Sequence, residues 1–305
     1  MHPITGLLTA LGALTAFYAG AWARTVLAIR RSGSTSSPAE DARVPTAPQV
    51  GIGFLTNFFD TLGIGSFATT TALFRLMRLV PDRIIPGTLN AGHTLPAITQ
   101  AFIYTSVIPV DVLTLFAMIA AAVLGAWLGA GVVARWSRRK VQIGMGFALL
   151  GAAALMLMTQ LNLFPAGDNA LGVRGVRLAV GIGGNFALGA LMTLGIGLYA
   201  PCMILVSLLG MNPTAAFPIM MGSCAFLMPV GSLRFIRERS YALRAALGLT
   251  LGGIPGVLLA AFIVKSLPLG AVRWLVIIVV LYTAVTMLVA ANGARQPSAA
   301  EPAEA

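Results

Sequence analysis

Four stretches of this chain run for about the 20 residues that cross a bilayer while carrying almost no charge: Val110–Ala134, Val141–Met158, Ala242–Val264 and Leu269–Ala291. Asp111, Arg244 and Arg273 are their only charged residues, and each lies near a segment end. Segments of this length and composition are too long and too apolar for the interior helices of a soluble domain. Composition agrees: 58% of the 305 residues are hydrophobic and 10% are charged, too few charges to cover a water-exposed surface. The chain therefore reads as an all-α polytopic membrane protein.

Charge excludes one further class. A net charge of +11 could signal nucleic-acid binding, but the 20 basic residues fall between the apolar segments rather than on one face. That is how topology-setting charges are distributed. Cys202 and Cys224 both sit inside apolar segments and read as small buried residues, not as a disulfide or a metal site. No cofactor or metal is expected. Met1–Ala23 has neither a basic leader nor a small-residue cleavage site, so it is expected to be a spanning helix.

The chain also repeats itself. Thr61-Leu62-Gly63-Ile64-Gly65 recurs as Thr193-Leu194-Gly195-Ile196-Gly197, 132 residues later. At the same offset Gly51 matches Gly183, Phe54 matches Phe186, Ala68 matches Ala200, Pro81 matches Pro213 and Pro86 matches Pro218. Matches held in register this far argue for duplication. The resulting division is an N-terminal transmembrane helix (1–29), a cytoplasmic linker (30–49), a first repeat (50–172), a second repeat (173–291) and a disordered tail (292–305).

Two glycines in the middle of an apolar segment weaken a helix by roughly 1 kcal/mol each and mark a break. The segments around them, Val50–Val80 and Val176–Gly210, are too long for one crossing at about 1.5 Å per residue, but suit a hairpin of two half-helices. Charge placement tests this. With the N-terminus outside and both hairpins re-entrant, only Arg174, Arg177, Lys265 and Arg273 lie outside, and all other basic residues lie inside. A single crossing at the first hairpin would put Arg135–Lys140 outside. The expected fold is thus seven crossings and two inverted repeats, each with a broken re-entrant hairpin, which is an arrangement found in transporters.

Residues Gly53-Phe54-Leu55-Thr56-Asn57-Phe58-Phe59-Asp60-Thr61-Leu62-Gly63-Ile64-Gly65-Ser66-Phe67-Ala68, followed by Ile85-Pro86-Gly87-Thr88-Leu89-Asn90, resemble the TauE/SafE family of sulfite and sulfonate exporters. The resemblance covers about Val50–Ala291. It implies a permease of the inner membrane that exports a small anion such as sulfite or an organosulfonate. Its partners would be that anion and the lipid bilayer, with a homodimer left open. The chain departs from the common pattern in its Gly-Ile-Gly-Ser, where many members have a longer glycine run, and in its extra N-terminal helix.

Candidate substrate-binding residues follow from the breaks. Exposed N–H groups and the positive end of a half-helix favour an anion without any basic side chain, which singles out Gly63, Gly65, Ser66 and Phe67 at the first tip. Gly195, Gly197 and Tyr199 are their counterparts at the second, with Thr61 and Thr193 opening each motif. Asp60 is the only acid within an apolar segment, and a carboxylate there points to proton coupling or a structural bond. Its repeat mate is Met192. Asn57, Asn90 and His93 are polar groups in apolar surroundings, able to face an anion or to bond neighbouring helices. Competing classes are an uncoupled anion channel and an intramembrane enzyme. The sequence lacks a phosphate-binding Gly-x-x-x-x-Gly-Lys loop and the usual hydrolase motifs, so no enzymatic activity is expected.

Overall fold

The computed structural model describes residues 3–32, 44–62, 64–163, 169–194, 198–262 and 270–293. Among them the chain forms eleven α-helices and no strand. The N-terminal helix is α1 (Pro3–Ser32). Then come the short pair α2 (Ala47–Thr61) and α3 (Ser66–Leu76), and the long helices α4 (Ile85–Val107), α5 (Val112–Val133) and α6 (Arg138–Gln160). A second pair, α7 (Gly175–Met192) and α8 (Tyr199–Leu208), precedes α9 (Ala216–Arg237), α10 (Leu243–Phe262) and α11 (Gly270–Gly293). α1 runs past the expected end of the N-terminal span, and α2 starts three residues inside the expected linker.

Among the described residues six helical segments are long and apolar enough to cross a membrane, so the chain is a multi-pass membrane protein. They lie in α1, α5, α6, α7, α9 and α10. The sequence predicts α4 and α11 among the crossings and α7 in a hairpin. α4 falls short because Asn90, His93, Thr94 and Gln100 dilute its hydropathy, and all four are buried inside the bundle; α11 contributes only a shorter apolar run, Val280–Asn292. α7 qualifies at 18 residues, and its two ends are described further below.

Helix pairs close through glycines. α2 packs along α10, where a Cβ on Gly252 would fall on the Val50 carbonyl and one on Gly256 on the Phe54 carbonyl. α7 packs along α5 in the same manner, with Gly125 against the Phe186 carbonyl and Gly189 against that of Ala122. Such close backbone approach supplies dispersion contact where lipid offers no hydrophobic drive. α4 pairs with α9 at the centre, and α6 with α11. Inside α4, Pro96 cannot donate to the Gly92 carbonyl, which instead accepts from Thr250 Oγ1 of α10 at 2.8 Å. α1 docks on the α4–α9 pair, its buried Tyr18 hydroxyl donating to the Ala91 carbonyl at 3.2 Å.

Two sets of contacts tie the helix ends. In the first, Arg244 donates to the Val44 carbonyl at 2.9 Å, the Ala242 N–H to Thr88 at 2.9 Å, and Gln142 to Asp82 at 2.8 Å. Ion pairs Arg75–Asp82 and Arg135–Glu238, both at 3.0 Å, belong to it. In the second, the Asp111 N–H donates to the Leu171 carbonyl at 2.9 Å and the Asn212 N–H to that of Ala170 at 2.8 Å. Asp111 also caps α5 and receives both guanidinium arms of Arg174 at 2.6 and 2.7 Å, which hold its carboxyl well below the usual carboxylate range. The chain enters α2 and leaves α3 within the first set. It enters α7 and leaves α8 within the second.

The glycine seam gives a direct test. Gly252→Ala should cost about 1–3 kcal/mol through overpacking against α2. Gly51→Ala, with nothing within 4 Å of its added Cβ, should cost nothing and raise stability by up to about 1 kcal/mol. Thermal unfolding in detergent compares them, and equal midpoints would show that α2 and α10 do not meet this closely.

Candidate functional site

Each short pair holds a helix break. α2 stops at Thr61, the Ile64 N–H turns back to the Phe59 carbonyl at 3.0 Å, and α3 restarts at Ser66. Gly65 makes this turn with φ of 89°, a conformation other residues adopt only under strain. In the second pair α7 stops at Met192, the Leu194 N–H bonds the Leu191 carbonyl at 3.0 Å, and α8 starts at Tyr199. Gly63, Gly195 and Gly197 lie outside the described residues.

Between the two breaks is a small cavity. From the first break it is lined by Gly65, Ser66 and Phe67, with Asn57 and Asp60 of α2 beside them. α4 contributes His93 and Ala97. The facing wall is Met192, Leu198 and Tyr199 of the second break, closed by Cys224 and Met228 of α9. Apart from the Tyr199 hydroxyl, then, the polar lining comes from the first half and the second half supplies apolar surface. No Lys or Arg lines it.

Asp60 is the cavity's one carboxyl group and is 5% exposed. Gln100 of α4 donates to its Oδ2 at 2.9 Å and to Thr61 Oγ1 at 2.9 Å. The Ser66 backbone and hydroxyl and the Tyr199 hydroxyl also face this carboxyl. Tyr199 in turn donates to Gln100 Oε1. A hydrogen-bonded chain, Asp60–Gln100–Tyr199, thus runs from the first break to the second.

His93 has both ring nitrogens engaged. Its Nδ1 lies 2.9 Å from Asn57 Nδ2, and its Nε2 lies 3.0 Å from Thr70 Oγ1. The Asn57 amide also donates to the Gly53 carbonyl at 2.8 Å. His93 therefore joins α2, α3 and α4, and its ring stands 5.6 Å from that of Phe67.

Two residues singled out from the sequence lie elsewhere. Thr193 bonds its hydroxyl to the Ala190 carbonyl at 2.7 Å and faces Gly129 of α5, as threonines in membrane helices often satisfy their own backbone. Asn90 donates to the Pro86 carbonyl at 2.8 Å and turns toward Gly231 of α9, away from the cavity.

Thr70, one of the Thr69-Thr70-Thr71 run able to offer hydroxyls, joins the site through His93, and Gln100 belongs to it without having been singled out. Gln100 could have been found, because it stands seven residues after His93 and hence two turns along the same face. Asn185 of α7 was missed as well. It is fully buried and donates to the Met118 carbonyl at 2.7 Å and to Ser223 at 2.9 Å, joining α7, α5 and α9. Its signal was a lone amide in an otherwise apolar helix.

Compared with known proteins, the chain matches no family model, no curated protein and no solved structure.

The turn at Gly65 separates strain from clash. Nothing lies within 4 Å of a Cβ added there, so a side chain meets open space but a disfavoured φ. Gly65→Val should therefore lower stability by on the order of 1–3 kcal/mol. Gly151→Ala on α6, also unobstructed and at ordinary helical φ, should gain up to about 1 kcal/mol. Thermal unfolding of both variants in detergent checks the contrast, and an unaffected Gly65→Val would mean that the turn relaxes freely.

Proposed function

We propose that this chain is a secondary transporter that exports a small anion, such as sulfite or an organosulfonate, across a bacterial-type inner membrane. The reading rests on one observation above the others: the cavity takes its walls from both helix breaks at once. A site shared by two broken helices at the interface of two halves is how many transporters hold their cargo. The TauE/SafE resemblance supplies the direction and the substrate class.

The two halves are inverted repeats in this reading, and three features support it. Both ends of the α2–α3 pair join one set of contacts, and both ends of the α7–α8 pair join the other. Packing is reciprocal, since α2 lies on α10 as its counterpart α7 lies on α5. The cavity lining also pairs at the repeat offset, Asp60 with Met192, Ser66 with Leu198 and Phe67 with Tyr199. Each short pair is then a re-entrant hairpin. The first contact set is the cytoplasmic side, because the groups Arg75–Arg83, Arg135–Lys140 and Arg234–Arg244 gather there.

Electrostatics assigns Asp60 the proton. An anion about 4 Å from an ionised carboxylate meets repulsion of about 4 kcal/mol at an effective dielectric of 20. A half-helix dipole returns only about 0.3–1 kcal/mol. Repulsion wins, and no basic residue in the lining offsets it. The anion therefore binds when Asp60 is protonated, and proton and anion move together down their combined gradient.

Proteoliposomes test this with sulfite, thiosulfate, sulfoacetate, taurine and chloride, with and without a pH gradient. At least one of the first four should accumulate in response to the gradient. Asp60→Asn, which imitates the neutral carboxyl, should abolish gradient-driven accumulation and keep exchange at a substantial fraction of wild type. Unchanged pH dependence in that variant would reduce Asp60 to a structural residue, and conduction without counterflow would make the chain a channel.

A further inference from the structure

We propose that Gln100 is a positioning residue that carries the charge state of Asp60 across to Tyr199, so that a proton taken up by the first half turns a hydroxyl of the second half toward the cavity. The proposal rests on the transporter reading for its purpose, and on the hydrogen-bond directions for its mechanism.

A primary amide has two faces, one that only donates and one that only accepts. Gln100 Nε2 now donates to Asp60 Oδ2 and Thr61 Oγ1, and Gln100 Oε1 accepts from the Tyr199 hydroxyl. Each partner suits an ionised Asp60, which can only accept. All four groups are buried, so a mismatched pair would find no water to repair it.

Adding a proton to Asp60 from the aqueous phase changes the sign of that first bond. A carboxyl O–H placed on Oδ2 now donates, and it meets the donating face of the amide. Rotating the Gln100 amide by half a turn brings Oε1 to Asp60 and Nε2 to Tyr199. Tyr199 Oη then accepts where it had donated, and its hydrogen must point elsewhere. Tyr199 lines the cavity, so the free O–H has a substrate oxygen to meet. Thr61 Oγ1, which had accepted from Nε2, now meets Oε1 and turns its own O–H from the Asn57 carbonyl, now 2.8 Å away, to the amide oxygen. No bond to carbon changes, and one proton enters for each cycle.

One neighbour of Asp60 also belongs to the far end of the relay: the Tyr199 hydroxyl faces the carboxyl directly, and the Gln100 variants separate that contact from the amide's role. The groups around Asp60 that titrate are Tyr199 of α8, Cys224 of α9, and His93 and Tyr104 of α4. His93 is fully engaged by Asn57 and Thr70, and the Tyr104 hydroxyl donates to the Thr61 carbonyl at 3.2 Å. The basic residues on the packed helices α3 and α10, Arg75 and Arg244, belong to the distant contact set at the helix ends.

Infrared difference spectroscopy of the full chain in lipid, taken across the acid-to-neutral range, reads both ends of the relay. The protonated carboxyl band is assigned by its loss in Asp60→Asn, and the phenol C–O mode by its loss in Tyr199→Phe. In the wild type the phenol mode should shift in step with the carboxyl band. In Gln100→Leu, or Gln100→Met if the first does not fold, the carboxyl band should still titrate while the phenol mode stays fixed. With sulfite as probe, Tyr199→Phe should weaken binding about tenfold at acid pH and little at neutral pH. A wild-type phenol mode indifferent to the carboxyl band overturns the relay, as a proton carried on Oδ1 toward Ser66 would produce. So does a mode that still follows in the Gln100 variants. Wild-type protein that fails to bind sulfite tells against the anion reading, and leaves the phenol mode to decide the relay by itself.

Discussion

Everything in this fold answers to the cost of an unpaired backbone group in hydrocarbon, several kcal/mol for each one. A helix break exposes such groups, so it can exist only where protein surrounds it. Both breaks here lie inside the bundle, against the central α4–α9 pair and between the outer helices. The rule reaches single atoms. Pro96 interrupts the α4 ladder at Gly92, and the Thr250 hydroxyl of a neighbouring helix takes over the orphaned carbonyl. The breaks thus cannot be separated from their enclosure, and the enclosure creates the cavity.

Glycine makes the enclosure tight. Where Gly252 and Gly256 meet α2, and Gly125 and Gly189 meet the α5–α7 seam, carbonyls sit where side chains would otherwise stand. Close pairs outside leave the middle to α4 and α9, which are almost entirely buried from lipid. A helix so placed can carry Asn90, His93, Thr94 and Gln100 without facing lipid. Polar residues collect on α4 because packing elsewhere has shielded it.

Local physics made part of this readable in the sequence. Apolar runs exposed the spans, the matched glycine motifs exposed the breaks, and the solitary charge exposed Asp60. What could not be read depended on partners far along the chain. Gln100 looks like one more polar residue until α8 brings Tyr199 to it, 99 residues away. Asn185 gains meaning only beside Met118 and Ser223. Hydropathy alone would pass over α4, since it measures fitness for lipid and α4 is shielded from lipid. The repeat misled at Thr193, which matches Thr61 in sequence, yet its hydroxyl turns back on its own helix while Thr61 also receives Gln100.

In the proposed reading duplication supplies the scaffold, and departure from it supplies the chemistry. Asp60 has Met192 as its counterpart in the cavity lining, and Ser66 has Leu198. Had the acid been kept in both halves, two carboxylates would share one small enclosure. Their mutual repulsion would force one to stay protonated and split their titration into two coupled steps. One acid against a thioether avoids this: the cavity then has two charge states, separated by a single proton. Only with such a single step can the amide of Gln100 have one unambiguous orientation for each state. In the proposed mechanism the paired breaks supply the frame, and the asymmetric lining lets the first sense a proton while the second responds.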